Sequence, residues 1–326
     1  MFHTGEMNGH KALWLENDLI AVTVLPEKGA DIYEFIYKPS RVDFLMKSPH
    51  GLQPPGETPP ADFLENYEGG WQELFPNPGD AVETCGEPLP FHGEVALLPW
   101  EFVVVQDDEI ATTALFRVRC QKTPFEIERR MRLRTGSPSL EIEETVTNES
   151  DTSTHFCWGH HIVLGGNFLE EGCRLDLPAG KIVTPKELYE PDTAQLAPGQ
   201  CEPWPFALGR KPGERVDLRL IPGPQAQSHD DVYMTELGGG WLEVSNPRLR
   251  LSFQVEWDAS LFRCLVNWRP LGGADLPPLT GIYGLGIEPW VSRFSLNEAI
   301  ERSEALELGA RGSVSTALRV NILERH

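Results

Sequence analysis

The sequence predicts an all-β fold, a large antiparallel β-sandwich with minimal helix. Apolar and polar residues alternate at period two from one end of the chain to the other. The breaks between the alternating runs carry turn chemistry, and helical periodicity is scarce. Together these observations favour stacked antiparallel sheets over a parallel or helical architecture.

Each element follows from its own pattern. Leu249, Leu251, Phe253, Val255 and Trp257 alternate with Arg250, Ser252, Gln254 and Glu256, as a strand with one buried face requires. Val314, Thr316, Leu318, Val320 and Ile322 repeat the pattern. Leu140, Ile142 and Val146 do so against Glu141, Glu143, Thr145 and Thr147. Residues 19–26, 31–37, 101–105, 110–119 and 125–133 read as further strands. Asn246-Pro247, Thr135-Gly136-Ser137-Pro138 and Asn148-Glu149-Ser150-Asp151 supply turns between them. The best helix is 295–306, where Ser295 and Glu298 have capping-box spacing ahead of Ala299, Ile300, Ala305 and Leu306, with Gly309 to close it. Two Pro/Gly-rich stretches, 48–60 and 186–224, interrupt the strands without changing their style. They are expected to be surface excursions of one domain spanning 1–326.

Bulk composition narrows the partners. The 326 residues include 28 basic and 49 acidic side chains, a net charge of −21. Such a surface repels phosphate backbones and anionic lipid, so nucleic acid and membrane are not expected partners. A chain of this length buries enough core to fold without metal or disulfides. Cysteines stand at 85, 120, 157, 173, 201 and 264, none in a C-x-x-C pair, and are expected to be reduced and mostly buried. The N-terminus has no basic region or long apolar run, and no stretch approaches the roughly 20 apolar residues of a membrane helix. The expectation is a cytoplasmic protein, monomer or homodimer, whose partner is a small molecule.

Four segments depart from the strand pattern. In Gly69–Asn77, Trp71 offers an apolar ring face, and Gln72, Glu73 and Asn77 offer hydrogen bonds; His92 follows in Phe91-His92-Gly93. A buried Trp anchor explains Trp71 as simply. In Cys157–Ile162, His160 and His161 are adjacent, so on a strand they point to opposite faces and one alone enters a given cleft. No complete metal signature accompanies them, and no metal is expected. Val266–Pro270 carries Trp268 and Arg269 as a stacking face and a cation, with Asp258 upstream. In Tyr283–Trp290, Glu288 lies in an apolar, Gly-flanked run, where burial raises a carboxyl pKa and suits it to act as a base. There is no G-x-S-x-G, Walker A or dinucleotide fingerprint.

Taken together, these segments resemble the galactose mutarotase (aldose 1-epimerase) superfamily over nearly the whole chain. Val22–Asp31 is similar to the family's first strand and Gly turn, and Gly70–Pro76 to its segment ending Leu-Phe-Pro. Phe91-His92-Gly93 resembles the segment with the first active-site histidine. Asn148 with Trp158–His161 resembles that with the second. Gly286–Pro289 resembles the stretch with the catalytic glutamate, and Leu306–Gly309 the final turn without its proline. The resemblance implies a supersandwich and an isomerase that interconverts the anomers of a free sugar without a cofactor. It assigns Glu288 as base, His161 as acid, and His92 as the residue that holds the sugar and stabilises developing charge. Trp71, Gln72, Asn77, His160, Trp268, Arg269 and Asp258 are the candidate sugar contacts. A histidine with an ordinary pKa near 6.5 is about one-quarter protonated at pH 7, and a Glu288 anion is expected to raise that fraction.

The chain also departs from the family. No arginine occurs between 42 and 116, where the galactose-specific branch carries an Asn-Arg pair, and Ile-Val-Leu-Gly follows His161 in place of Tyr-Phe-Asn-Leu. Galactose itself is therefore not implied. Three other readings compete. A carbohydrate-binding protein would use the same cleft without catalysis. A hexose-phosphate mutarotase would need a clamp such as Arg263 and Arg269. A glycoside hydrolase would need a second carboxylate, Glu73 or Asp258.

Overall fold

A computed structural model describes residues 1–56, 62–65, 67–84 and 86–325. Two large antiparallel sheets face each other. The thirteen-stranded one runs in the order Phe2–Met7, His10–Glu16, Ile20–Leu25, Asp31–Tyr37, Trp71–Leu74, Gly159–Leu164, Glu288–Trp290, Cys264–Leu271, Ser228–Thr235, Lys181–Val183 and Cys201–Pro203. Val42–Asp43 and Leu285–Gly286 pair off this path. The eight-stranded one runs Arg174–Asp176, Trp241–Asn246, Leu251–Trp257, Ser313–Glu324, Ser139–Asn148, Phe125–Arg134, Ala111–Arg119 and Glu101–Asp107. The architecture is the all-β sandwich the alternation predicts.

The core lies between the sheets. Leu251, Phe253, Val255 and Trp257 are buried there, as are Leu140, Ile142, Val146, Leu318, Val320 and Ile322. Phe253 meets Phe35 of the larger sheet edge-on, with ring centroids 5.4 Å apart, and Phe75 meets Phe125 at 5.2 Å. Each such side chain contributes about 1.5–3 kcal/mol by leaving water. The described cysteines are unpaired; Cys157, Cys173 and Cys264 are buried, Cys120 is half-buried, and Cys201 is exposed. Cys85 and residues 57–60 of the first Pro/Gly-rich stretch lie outside the described residues.

The helix differs from its prediction. It spans Leu296–Glu301, and Leu306–Leu308 pairs as a strand with Thr154–Phe156. Ser295 makes no side-chain cap. Asn77 Oδ1 accepts the Leu296 N–H at 2.9 Å instead, and Glu298 turns to Arg302. The capping oxygen arrives from a distant loop, so a local spacing rule names the wrong residue.

The outer face of the larger sheet positions the site. Cross-strand partners share a face, and so do residues two apart on one strand. Glu288 pairs with Val266, Val266 with Tyr233, and Trp268 with Asp231. Glu288, Val266, Trp268, Tyr233, Asp231 and His229 therefore stand on one face across three adjacent strands.

Candidate active site

That face, together with the loops above it, bounds a cavity of about 550 Å³. His92, His161 and Glu288 all line it. His161 Nε2 lies 3.8 Å from Glu288 Oε1, and the His92 and His161 rings are 5.4 Å apart. Phe63 meets both histidines edge-on, at 4.6 and 5.4 Å, and Tyr67 meets His161 at 5.5 Å. Glycine makes room here. A Cβ on Gly159 would come within 2.6 Å of the Trp290 ring, and one on Gly286 would strike the Glu288 carboxylate.

The charges differ from the sequence expectation. Burial, and next its neighbour His92, hold His161 well below the usual histidine range. Burial, and next the charge of Asp231, raise Glu288 well above the usual carboxylate range. Both shifts disfavour the charged forms, so burial works against the imidazolium–carboxylate pair that the sequence leads one to expect. Burial also pushes His92 down to about 3. His92 Nδ1 faces the Pro78 carbonyl, which can only accept, so Nδ1 bears the hydrogen and Nε2 is left as an acceptor. His92 holds the left-handed backbone conformation, φ 66°, a strained geometry for a non-glycine residue.

Several candidate sugar contacts do not line the cavity. Strand alternation sends His160 to the opposite face from His161, into the core. Its Nδ1 accepts the Trp71 indole N–H at 3.3 Å, and its Nε2 lies 3.2 Å from Glu144 Oε2. Trp71 is thereby the buried anchor and not a stacking face. Glu73 is buried with it, paired to Arg129 and accepting the Trp158 indole N–H. Gln72 donates to the Gly69 carbonyl at 2.6 Å. Asn77 is consumed in capping the helix and in donating to the Asp80 carbonyl at 2.6 Å. Arg269 alternates away from Trp268 and donates to Leu218 O and Asn267 Oδ1, at 3.2 and 3.0 Å. Arg263 donates to Glu304 O. Asp258 holds its own turn, accepting from the Ser260 backbone at 2.8 Å. Of the candidate contacts, Trp268 alone reaches the cavity.

Glu73, Glu144 and His160 bring ligand atoms within 4.8 Å of one another. A cation already fills that place: the Arg129 guanidinium pairs with both carboxylates, 2.8 Å from Glu144 Oε1.

The cavity also holds residues that the motif search missed, among them Tyr67, His229, Asp231, Tyr233, Trp290 and Arg293. A signal existed for three of them. His229, Asp231 and Tyr233 share one face of their strand, while Asp230, Val232 and Met234 share the other. Asp231 stands on the wall with Glu288, as do Asp80 and Glu187, whereas Glu73 and Asp258 do not line it.

The fold is that of galactose mutarotase-like structures. The chain belongs to the DUF4432 family, described as a domain of unknown function, whose match covers residues 7–203. Among solved structures, the Slr1438 protein from Synechocystis sp. PCC 6803 is 19% identical, with a TM-score of 0.71 over 99% of this chain and 100% of that one. A protein described as a proposed aldose 1-epimerase from Klebsiella pneumoniae is 17% identical, with a TM-score of 0.73 over 99% and 82% of the two chains. A galactose mutarotase-like protein from Lactobacillus casei is 16% identical, with a TM-score of 0.62 over 96% and 100%. At these identities the likeness is one of fold. No curated protein matches the sequence. Among the described residues, no helix is long and apolar enough to cross a membrane.

Proposed function

We propose that the protein is an aldose 1-epimerase acting on an unphosphorylated sugar, with the whole chain serving as one sandwich domain. The observation that carries this reading is the convergence of orphaned polar atoms. Tyr67 Oη, His161 Nδ1 and Glu288 Oε1 are buried without a hydrogen-bond partner, and all three residues line the aromatic-walled cavity. A buried polar group left unpaired costs roughly 1–3 kcal/mol, and a hydroxyl-rich ring would supply the missing partners. Among the described residues, Arg293 is the one cation on the wall. Its guanidinium lies against the Phe294 ring at 4.1 Å, and one cation falls short of the paired clamp that a phosphate favours.

The chemistry follows from the shared proton. One member of the Glu288–His161 pair takes the proton of the anomeric hydroxyl while the other protonates the ring oxygen. The bond from C1 to the ring oxygen breaks, and its electron pair goes to that oxygen. The open aldehyde turns about the bond between C1 and C2 and closes on its other face, with both proton moves reversed. The pair begins and ends with one proton, so which member holds it at rest sets the order of the moves and not their feasibility. His92, a neutral acceptor, holds a sugar hydroxyl and does not neutralise developing negative charge. The net change is an isomerisation and needs no cofactor.

Polarimetry or NMR exchange across a panel of free and phosphorylated aldoses tests the reading. Glu288→Gln and His161→Asn are each expected to lower the acceleration on the cognate sugar by about 10²–10⁴-fold. Full acceleration in either variant would remove that residue from the chemistry. Binding of sugar without any acceleration by the wild type would leave a carbohydrate-binding protein.

A further inference from the structure

We propose that Glu190 and His229 form a positioning pair that fixes Trp268 as the platform against which the sugar ring stacks. The sugar in this statement rests on the function proposed above, but the pair itself stands on geometry. The Trp268 indole donates to His229 Nε2 at 2.7 Å. An indole N–H can only donate, so Nε2 must accept; His229 is therefore neutral and bears its hydrogen on Nδ1. That hydrogen is donated to Glu190 Oε2 at 3.0 Å. Both His229 and Glu190 are buried.

Glu190 fastens more than His229. Its carboxylate also accepts the backbone N–H groups of Asp275 and Leu276, at 2.9 and 3.1 Å. Burial works to raise its pKa, but these bonds outweigh it and hold Glu190 below the usual carboxylate range. Glu187, Leu188 and Tyr189, just ahead of it, line the cavity, as does Leu279. One carboxylate therefore ties together two wall segments and, through His229, the Trp268 ring. That ring lies 5.7 Å from His161 and 6.3 Å from Tyr67. With its N–H engaged, Trp268 offers the cavity its apolar face, which suits the C–H surface of a pyranose.

The pair stands apart from the Glu288–His161 proton chemistry, so it governs binding and not turnover. His229→Leu removes both hydrogen bonds, whereas His229→Gln keeps an acceptor and a donor on one head group. In His229→Leu, KM and the Kd from titration calorimetry are expected to rise about tenfold, with kcat changed by no more than about twofold. The Trp268 indole N–H resonance, assigned by its loss in Trp268→Phe, should move toward the free-indole position. His229→Gln should restore both KM and the resonance. The proposal is overturned if His229→Leu and His229→Gln both lose kcat, since His229 would then be moving protons. It is overturned equally if His229→Leu leaves KM and the resonance unchanged. Should His229→Leu fail to fold, Glu190→Gln offers the same two readouts. Absence of anomer exchange in the wild type would defeat the proposed function, while the indole resonance would still decide whether the pair holds Trp268.

Discussion

Replacing Arg129 with methionine tests the charge cluster beneath the site. Arg129 is 3% exposed, and Glu73 and Glu144 are 0% exposed. The guanidinium donates to Glu144 Oε1 at 2.8 Å, to Glu73 Oε2, and to the Ala30 carbonyl at 2.9 Å, and it lies 4.7 Å from the centre of the Trp100 ring. Methionine fills the volume of the stem and leaves the carboxylates without their cation. Removing one partner of a buried ion pair costs roughly 3–5 kcal/mol. Burial, together with the Glu144 charge, already lifts Glu73 to about 7, so it takes up a proton readily; the uncompensated charge is mainly that of Glu144, held at about 2 in the wild type by His160 and Arg129 against burial. A loss of roughly 3–5 kcal/mol corresponds to a fall in Tm of roughly 4–7 °C for a chain of 326 residues, read by calorimetry and by urea unfolding followed through tryptophan fluorescence. The deficit also has a pH sign. Glu73 already has a folded pKa above its unfolded one and loses a lowering charge with Arg129, so stability is lost as pH rises from the unfolded value toward the folded one, while Glu144 keeps His160 beside it. The deficit should be smallest near pH 4.5, the unperturbed carboxyl value, and grow toward pH 8. Adding Glu73→Gln and Glu144→Gln removes the stranded charges and should recover most of the loss. A single variant as stable as the wild type, or a triple variant no better than the single, would refute this account of the cluster.

Two further outcomes follow from the site. The pH–rate profile should be a broad bell, because activity requires one proton on the Glu288–His161 pair: the acid limb lies below the usual histidine range, and the alkaline limb above the usual carboxylate range. Asp231→Asn removes one of the causes that raise Glu288, so the alkaline limb should move to lower pH; a limb that stays in place would show that Asp231 does not act on Glu288. Asn77→Ala uncaps the Leu296 helix and should cost about 0.5–2 kcal/mol in urea unfolding, and an unchanged midpoint would deny Asn77 the capping role.

The strands were legible because burial on one face writes a period of two directly into the chain, as in 249–257 and 314–322. The choice between His160 and His161 was also constrained locally, since alternation admits one of them to the cleft. What local pattern lacks is the identity of each face's neighbour. Trp71, Gln72 and Arg269 all have the chemistry of a sugar contact. Trp71 and Arg269 are withdrawn by partners that the fold delivers from elsewhere, His160 and Leu218, and Gln72 turns back on the Gly69 carbonyl three residues before it. The same gap explains the helix, whose cap comes from a residue 219 positions away.

Strand order decides the remainder. Asp231 and Glu288 are far apart in the chain, yet each belongs to a strand flanking Cys264–Leu271, so antiparallel registry sets them on one face with Trp268 between. A sequence scan that weighs each motif alone favours the Gly-rich and aromatic segments, and passes over Ser228–Thr235, whose His229, Asp231 and Tyr233 look like an ordinary amphipathic strand. The missing arginine has a similar resolution. Glu73 lies in the stretch from 42 to 116 that has no arginine of its own, and its buried carboxylate needs a cation from elsewhere. Arg129 meets that need from the opposite sheet, on the core side, where it holds the sandwich together and leaves the cleft to its aromatic rings and carboxyls. Under the proposed function, such a cleft recognises a ring by its hydroxyls and its C–H face, with Arg293 as its one arginine or lysine among the described residues.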